Sequence, residues 1–194
     1  MTFIDIEVGK ASLDDVPGIL AVQKENLVPS ADQNALKLGE LAHKGFLLHP
    51  LGSQELEEAF ADPDNLVLVA KNGGCVCGYA ITLDLLNWKK IQPAWEGSVV
   101  APSEAKRFLR ENKVLYLRHI ARRPGFDRCG SKVMETLISE AGALGYGAIV
   151  AEILQAPAQN RMSTEFHQYH GFKMVGTIRE SEVIVWGLFV KKLL

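Results

Sequence analysis

Cysteine is scarce, with only three in 194 residues. Cys75 and Cys77 stand two apart, which suits alternate faces of a strand better than a disulfide framework or a zinc clip. A reducing, cytoplasmic setting without a bound metal is therefore expected. A surplus of basic residues is also missing: 21 Lys and Arg against 23 Asp and Glu give a net charge of −2. That argues against a phosphate-tracking surface, and so against nucleic acid as a partner. No apolar run reaches the roughly 18–20 residues of a membrane helix. The start, Met1-Thr-Phe-Ile-Asp-Ile-Glu7, lacks the charged-then-apolar order of a secretory signal. Neither Gly-Lys-Ser/Thr nor Gly-x-Gly-x-x-Gly occurs, which excludes the two commonest nucleotide fingerprints. What remains is 47% hydrophobic and 23% charged, an ordinary globular composition. Residues 1–194 are expected to form a single domain with one sizeable core.

Ile4, Ile6 and Val8 alternate with Asp5 and Glu7, the pattern of a half-buried strand. Ser12-Leu-Asp-Asp15 offers a capping-box start to a helix carrying Val16, Ile19, Leu20 and Leu27. Residues 28–60 read as polar and irregular, apart from a short helix over Ser53–Phe60. Two strands, 65–70 and 75–82, flank Lys71-Asn-Gly-Gly74, a strong hairpin signal. Residues 83–112 read as an insertion with a helix at Ser103–Glu111. A strand at 114–121 enters a turn at 122–130, and a helix with Val133, Met134, Leu137, Ile138 and Ala141 on one stripe ends at Gly145. The strand 148–154, the helix Ser163–His170 and a closing antiparallel pair around Val175 and 183–190 complete the order. One strand–helix–strand crossover within a mostly antiparallel set predicts a mixed sheet covered by helices.

Two segments carry candidate chemistry. Arg122-Arg-Pro-Gly-Phe-Asp-Arg-Cys-Gly130 joins a strand to a helix, and a helix N-terminus offers unpaired N–H groups to a phosphate. The same turn could equally be an ordinary connection with exposed arginines. Asn160-Arg-Met-Ser-Thr-Glu-Phe-His-Gln-Tyr-His-Gly-Phe172 places an amide just after a strand and His167 on the helix that follows. These could bind an amide-bearing ligand and supply a proton. They could equally be a helix cap and a surface histidine.

Together, Pro124 to Leu144, the strand 148–154 and Asn160-x-x-Ser163-x-x-Phe166-His167-x-x-x-Gly171-Phe172 resemble the GNAT superfamily of acetyl-CoA-dependent N-acetyltransferases. The second segment is most similar to the phosphinothricin-acetyltransferase-like branch. The Ala11-Ser-Leu-Asp-Asp-Val-Pro17 entry and Gly78-Tyr79 extend the likeness, leaving about 28–60 and 83–112 unmatched. The resemblance implies an α+β fold: a mixed, mostly antiparallel sheet of six or seven strands, splayed parallel central strands, and helices on both faces. It implies acetyl-CoA as co-substrate, with pantetheine pairing with the backbone of Ile120, Ala121 and Arg122. The pyrophosphate would rest on Phe126, Asp127, Arg128, Cys129, Gly130 and Ser131, and Asn160 would touch the pantetheine arm. The turn departs from the family's Arg/Gln-x-x-Gly-x-Gly/Ala. Gly130 aligned to the first glycine puts Asp127 at the Arg/Gln position; aligned to the second, it puts Arg128 at the first glycine.

The implied reaction is direct transfer of acetyl to a primary amine of a small molecule or peptide, with no acyl-enzyme. His167 is the expected acid, and His119 and Glu152 are candidate bases. Strict alternation would place His119 on one face with Leu115, Leu117 and Ala121. Many relatives carry an acid where this chain has Arg118. Cys129 reads as a packing residue, although a helix N-terminus could lower its pKa. Trp88, Trp95 and Phe46 could line an acceptor pocket or simply fill core. A non-catalytic acyl-CoA sensor is the alternative, and an interaction domain without coenzyme a third reading. By analogy, a homodimer could form through the hairpin at 183–190.

Overall fold

The computed structural model describes residues 5–193; Ile4 of the predicted first strand lies outside them. That strand, β1, runs Glu7–Lys10, with Ile6 buried just ahead of it. Helix α1 follows at Val16–Asn26, behind a short 3-10 turn in which the Ser12 N–H donates to the Asp15 carboxylate. Strands β2 (Val67–Asn72) and β3 (Cys75–Asp84) form the predicted hairpin. Gly73 and Gly74 take positive φ there, at 54° and 80°, matching the twist of a two-residue turn. Then come β5 (Val114–Arg122), helix α7 (Asp127–Ala143) and β6 (Ala148–Ala156). Helix α8 (Arg161–Tyr169), β7 (Lys173–Arg179) and β8 (Val185–Lys192) complete the chain.

The two segments with least pattern hold more structure than their sequence announces. Within 28–60, helix α2 (Ala35–Leu41) is capped by Asn34, which accepts from the Lys37 N–H, and α3 spans Ser53–Ala61. Leu38 of α2 is buried with Val28, Phe46, Leu48 and Leu154, a packing partnership set by tertiary contact rather than local periodicity. Within 83–112, α4 (Leu85–Ile91), α5 (Trp95–Ser98) and the two-residue β4 (Val99–Val100) precede the expected α6 (Ser103–Glu111). Strand β4 pairs with β7, and among the described residues the sheet therefore has eight strands, not six or seven.

The strand order is β1-β2-β3-β5-β6-β8-β7-β4. Among the described strands of the sheet only β5 and β6 pair in parallel, and their pairing runs from Val114↔Ala148 to Leu117↔Ala151 and stops. Beyond it, β5 stays with β3 as far as Arg122↔Gly78, while β6 stays with β8 as far as Ala156↔Val185. The sheet is thus split along its middle from Arg118 and Glu152 onward. Helix α7 covers one face, burying Cys129, Val133, Met134 and Leu137 against Leu115, Leu117, Ile149 and Ile153. Helices α1 and α3 cover the other face over β2 and β3, and α4, α5 and α6 cover it over β5, β6 and β8. Strand β8 has both edges hydrogen-bonded, to β6 and β7, so the segment proposed as a dimer interface lies inside the sheet.

Pairing between β3 and β5 slips by one residue: Ile81 faces His119 but Thr82 faces Leu117, leaving Arg118 as a bulge. This corrects the alternation expected for His119. Leu117 packs toward α7, whereas His119 points to Tyr79 on the opposite face.

Helix α7 lies close on β3. A Cβ at Gly78 would overlap the Cys129 Sγ and stand 3.1 Å from the Ala121 carbonyl oxygen. Gly78→Ala is therefore expected to cost about 1–3 kcal/mol, most of it recovered by adding Cys129→Ala. Urea unfolding of the single and double variants checks this, and a Gly78→Ala protein with the unaltered midpoint contradicts it.

Candidate active site

The split opens into a cavity of about 570 Å³. Tyr116, Arg118, His119 and Glu152 line one side, the backbone of Ile120–Arg122 runs along it, and Gly130, Asn160, Phe166 and His167 close the helical end. A strap at residues 44–49 lies over it. The Gln33 side chain donates to the carbonyls of Val28 and Leu48, and the Asn160 amide donates to the Phe46 carbonyl at 3.0 Å.

Glu152 is the first β6 residue past the parallel ladder, and it shares the cavity wall with Tyr116. The Trp95 indole N–H donates to its carboxylate. Burial pushes the carboxyl above its ordinary value; the Trp95 hydrogen bond, the Arg118 charge and Tyr116 oppose that push. Burial likewise raises the Tyr116 hydroxyl, with Glu152 adding to the rise and Arg118 opposing it. Tyr116 stacks on Trp88 with ring centroids 4.5 Å apart, so Trp88 and Trp95 are packed residues that also wall the cavity.

His119 is only 5% exposed. Its Nδ1 lies 3.4 Å from the Tyr79 hydroxyl. Burial and the Arg118 charge hold it down to about 3, so it is neutral. His167 is buried as well. Its Nδ1 lies 2.7 Å from the Ser163 carbonyl, which places the proton on Nδ1, while Nε2 is buried without a partner among the described residues. Burial depresses it to about 4. At neutral pH such an imidazole presents a lone pair rather than a proton, which is a physical obstacle to its expected role as an acid.

At the other end, Phe126 precedes α7, and Gly125 turns the chain with φ 84°. The helix begins at Asp127, inside the predicted turn. The Cys129 N–H donates to the Phe126 carbonyl, while the N–H groups of Asp127 and Arg128 have no backbone partner among the described residues. They are the orphan donors of a helix start. The Asp127 carboxylate pairs with the Arg122 guanidinium at 2.9 Å, which offsets its charge beside an incoming anion. Cys129 turns inward, its Sγ 3.5 Å from that of Cys77, and burial with Cys77 raises its thiol to about 12. The expectation that the helix start could lower its pKa is thereby corrected, because the thiol faces the sheet. Gly130 is buried toward Phe166, and Ser131 is half-buried.

Asn160 caps α8 by accepting from the Ser163 N–H at 3.3 Å while its amide holds the strap. One amide proton and one lone pair remain for a ligand. The Arg122 carbonyl accepts from the Asn26 amide at 3.0 Å, so one of the backbone groups expected to meet pantetheine is already occupied. Residues with no sequence signal complete the site: Tyr116, Asn26, His49 and Trp186 arrive by tertiary packing alone.

A split mixed sheet with a helix start at its mouth is the GNAT acetyltransferase fold, and solved structures of that class superpose on this chain. An N-acetyltransferase from Staphylococcus aureus Mu50 is similar at 18% identity and TM-score 0.59, covering 98% of this chain and 99% of its own. The ribosomal-protein-S18-alanine N-acetyltransferase from Escherichia coli is similar at 13% identity and TM-score 0.63, with 97% and 94% covered. A Salmonella typhimurium protein described as an acetyltransferase, solved with its cofactor acetyl-CoA, is similar at 16% identity and TM-score 0.59, with 97% and 94% covered. No family model and no curated protein matches the chain by sequence. No helix among the described residues is long and apolar enough to cross a membrane.

Proposed function

We propose that residues 1–194 act as one N-acetyltransferase unit that moves acetyl from acetyl-CoA to a primary amine by direct attack. The observation that carries this reading is the parting of β5 and β6 at Arg118 and Glu152 into a cavity that reaches from Glu152 to the α7 end. The edge of β5 that faces β6 has no strand partner beyond Leu117 and is suited to receive a pantetheine arm as an added strand as far as Ala121. The Asp127 and Arg128 N–H groups and the positive end of α7 suit a pyrophosphate. Of the two candidate bases, Glu152 is the better fitted, because the His119 ring is buried with its Nδ1 already facing the Tyr79 hydroxyl. Its elevated carboxyl pKa favours proton acceptance from an ammonium. A backbone N–H of the parted β5 would hold the oxyanion. Glu152 takes one proton from the ammonium, the neutral amine attacks and the C–N bond forms, the C–S bond breaks to release the CoA thiolate, and the second nitrogen proton leaves through solvent. Solvent protonates that thiolate, and His167 serves as an ordered wall of the cavity.

Calorimetry with acetyl-CoA and thiol release across an amine panel test the reading. Saturable binding with thiol release is expected; binding with no release on any amine would instead favour the sensor alternative. His167→Asn, which keeps a donor toward the Ser163 carbonyl, is expected to hold turnover within about tenfold, short of the general-acid range of roughly 10²–10⁴-fold. A loss within that range restores His167 as the acid.

A further inference from the structure

Among the described residues, Lys44 is the one lysine that lines the cavity, and it is exposed on the strap. It forms no ion pair among them, in contrast to Lys37, Lys71, Lys89 and Lys113, which each meet a carboxylate. Its backbone is held on both sides by the start of α8. The Ala42 carbonyl accepts from the Met162 N–H at 2.9 Å, and the Phe46 carbonyl accepts from the Asn160 amide at 3.0 Å. Gly45 turns the chain between these anchors at φ 74°. The Asn160 backbone N–H donates in turn to the Leu154 carbonyl at 3.0 Å, two residues past Glu152. Asn160 is therefore bonded two residues from Lys44 on one side and two residues from Glu152 on the other. Two residues span at most about 7 Å, and the four-methylene lysine stem adds to that reach. A free primary amine is thus held over a chamber whose proposed chemistry consumes primary amines.

We infer that Lys44 is an acceptor within the chain itself, a modification site acetylated by the acetyl-CoA held in the slot of the same molecule. This rests on the acetyl-transfer reading above. One proton passes from the exposed Lys44 ammonium to solvent, the neutral nitrogen attacks the thioester carbon, and the N–C bond forms. The C–S bond breaks, the CoA thiolate leaves, and the second nitrogen proton goes to solvent, leaving an amide. The anchors at Ala42 and Phe46 make the attack unimolecular, which favours it over the same reaction at a lysine that meets acetyl-CoA only by diffusion. The product is neutral, so the modification removes a positive charge from the cavity wall.

The test incubates the full chain with acetyl-CoA and no added amine, and follows acetylation of each lysine by peptide mass spectrometry. Lys44 is expected to gain acetyl at least about tenfold faster than Lys37, an exposed lysine on α2. Its fractional rate is expected to stay constant as protein concentration is varied. Excess CoA, which competes for the slot, is expected to slow labelling of Lys44 and not of Lys37. In Lys44→Arg, thiol release in the absence of added amine is expected to lose its fast phase. Labelling of Lys44 no faster than of Lys37, or a fractional rate that rises with protein concentration, overturns the inference; thiol release on added amines then leaves acetyl transfer standing. Absence of both thiol release with every added amine and label at Lys44 overturns the transfer reading, and this inference with it.

Discussion

Glu152→Gln is expected to lower kcat/KM for acetyl transfer by roughly 10²–10⁴-fold, the span typical of losing a positioned general base. Glutamine keeps the shape and an oxygen that can accept from the Trp95 indole, so the cavity wall is retained while proton acceptance is lost. The sign of the pH effect follows from burial. Only the carboxylate can take a proton from the amine, and burial places its titration above the ordinary carboxylate range. The acid limb of the kcat/KM profile is therefore expected above that range and absent in Glu152→Gln. A glutamine variant within about threefold of the unaltered enzyme would remove Glu152 from the base role, since no general-base loss is that small.

The second large effect concerns stability in mild acid. His119 and His167 are buried and neutral, held down to about 3 and about 4 from 6.5. In the unfolded chain both take up protons near pH 6.5, while in the folded protein they do not. Their contribution to stability is thus complete above pH 6.5 and lost progressively as pH falls toward the folded values. Each histidine is expected to remove up to about 1.4 kcal/mol per pH unit in that window. Glu152 works in the opposite direction, because protonation of a carboxyl with a raised folded pKa adds stability as pH falls. Urea midpoints at pH 7 and pH 5 measure the balance. A clear fall is expected, smaller in His167→Asn, and a fall of the same size in His167→Asn and the unaltered protein would mean that the His167 imidazole is not buried neutral.

Most of what could be read along the chain was local. The Asn72-Gly-Gly74 turn fixes the β2–β3 hairpin, and the 3.6-residue stripe of Val133, Met134, Leu137 and Ala141 fixes α7. The spacing of Asn160, Ser163 and His167 marks α8 and its cap. Asn160 illustrates how far such reading goes: the cap is dictated by its neighbour three residues on, but the bond to Phe46 spans 114 positions. The cradle shows the same division, since Pro-Gly before a helix is visible, whereas the inward turn of Cys129 depends on the absence of a side chain at Gly78.

The residue pattern by itself determined a mixed sheet covered by helices and its one crossover, because hydrophobic period, caps and turn residues act over a few positions; the slot between the central strands was implied by the family resemblance. Only the tertiary structure decided which side chains share the cavity. The bulge at Arg118 reversed the phase of His119, and the insertion delivered Trp95 to Glu152 from 57 residues away. Pairing register and packing between distant segments are set by the whole sheet, and no short window of sequence contains them.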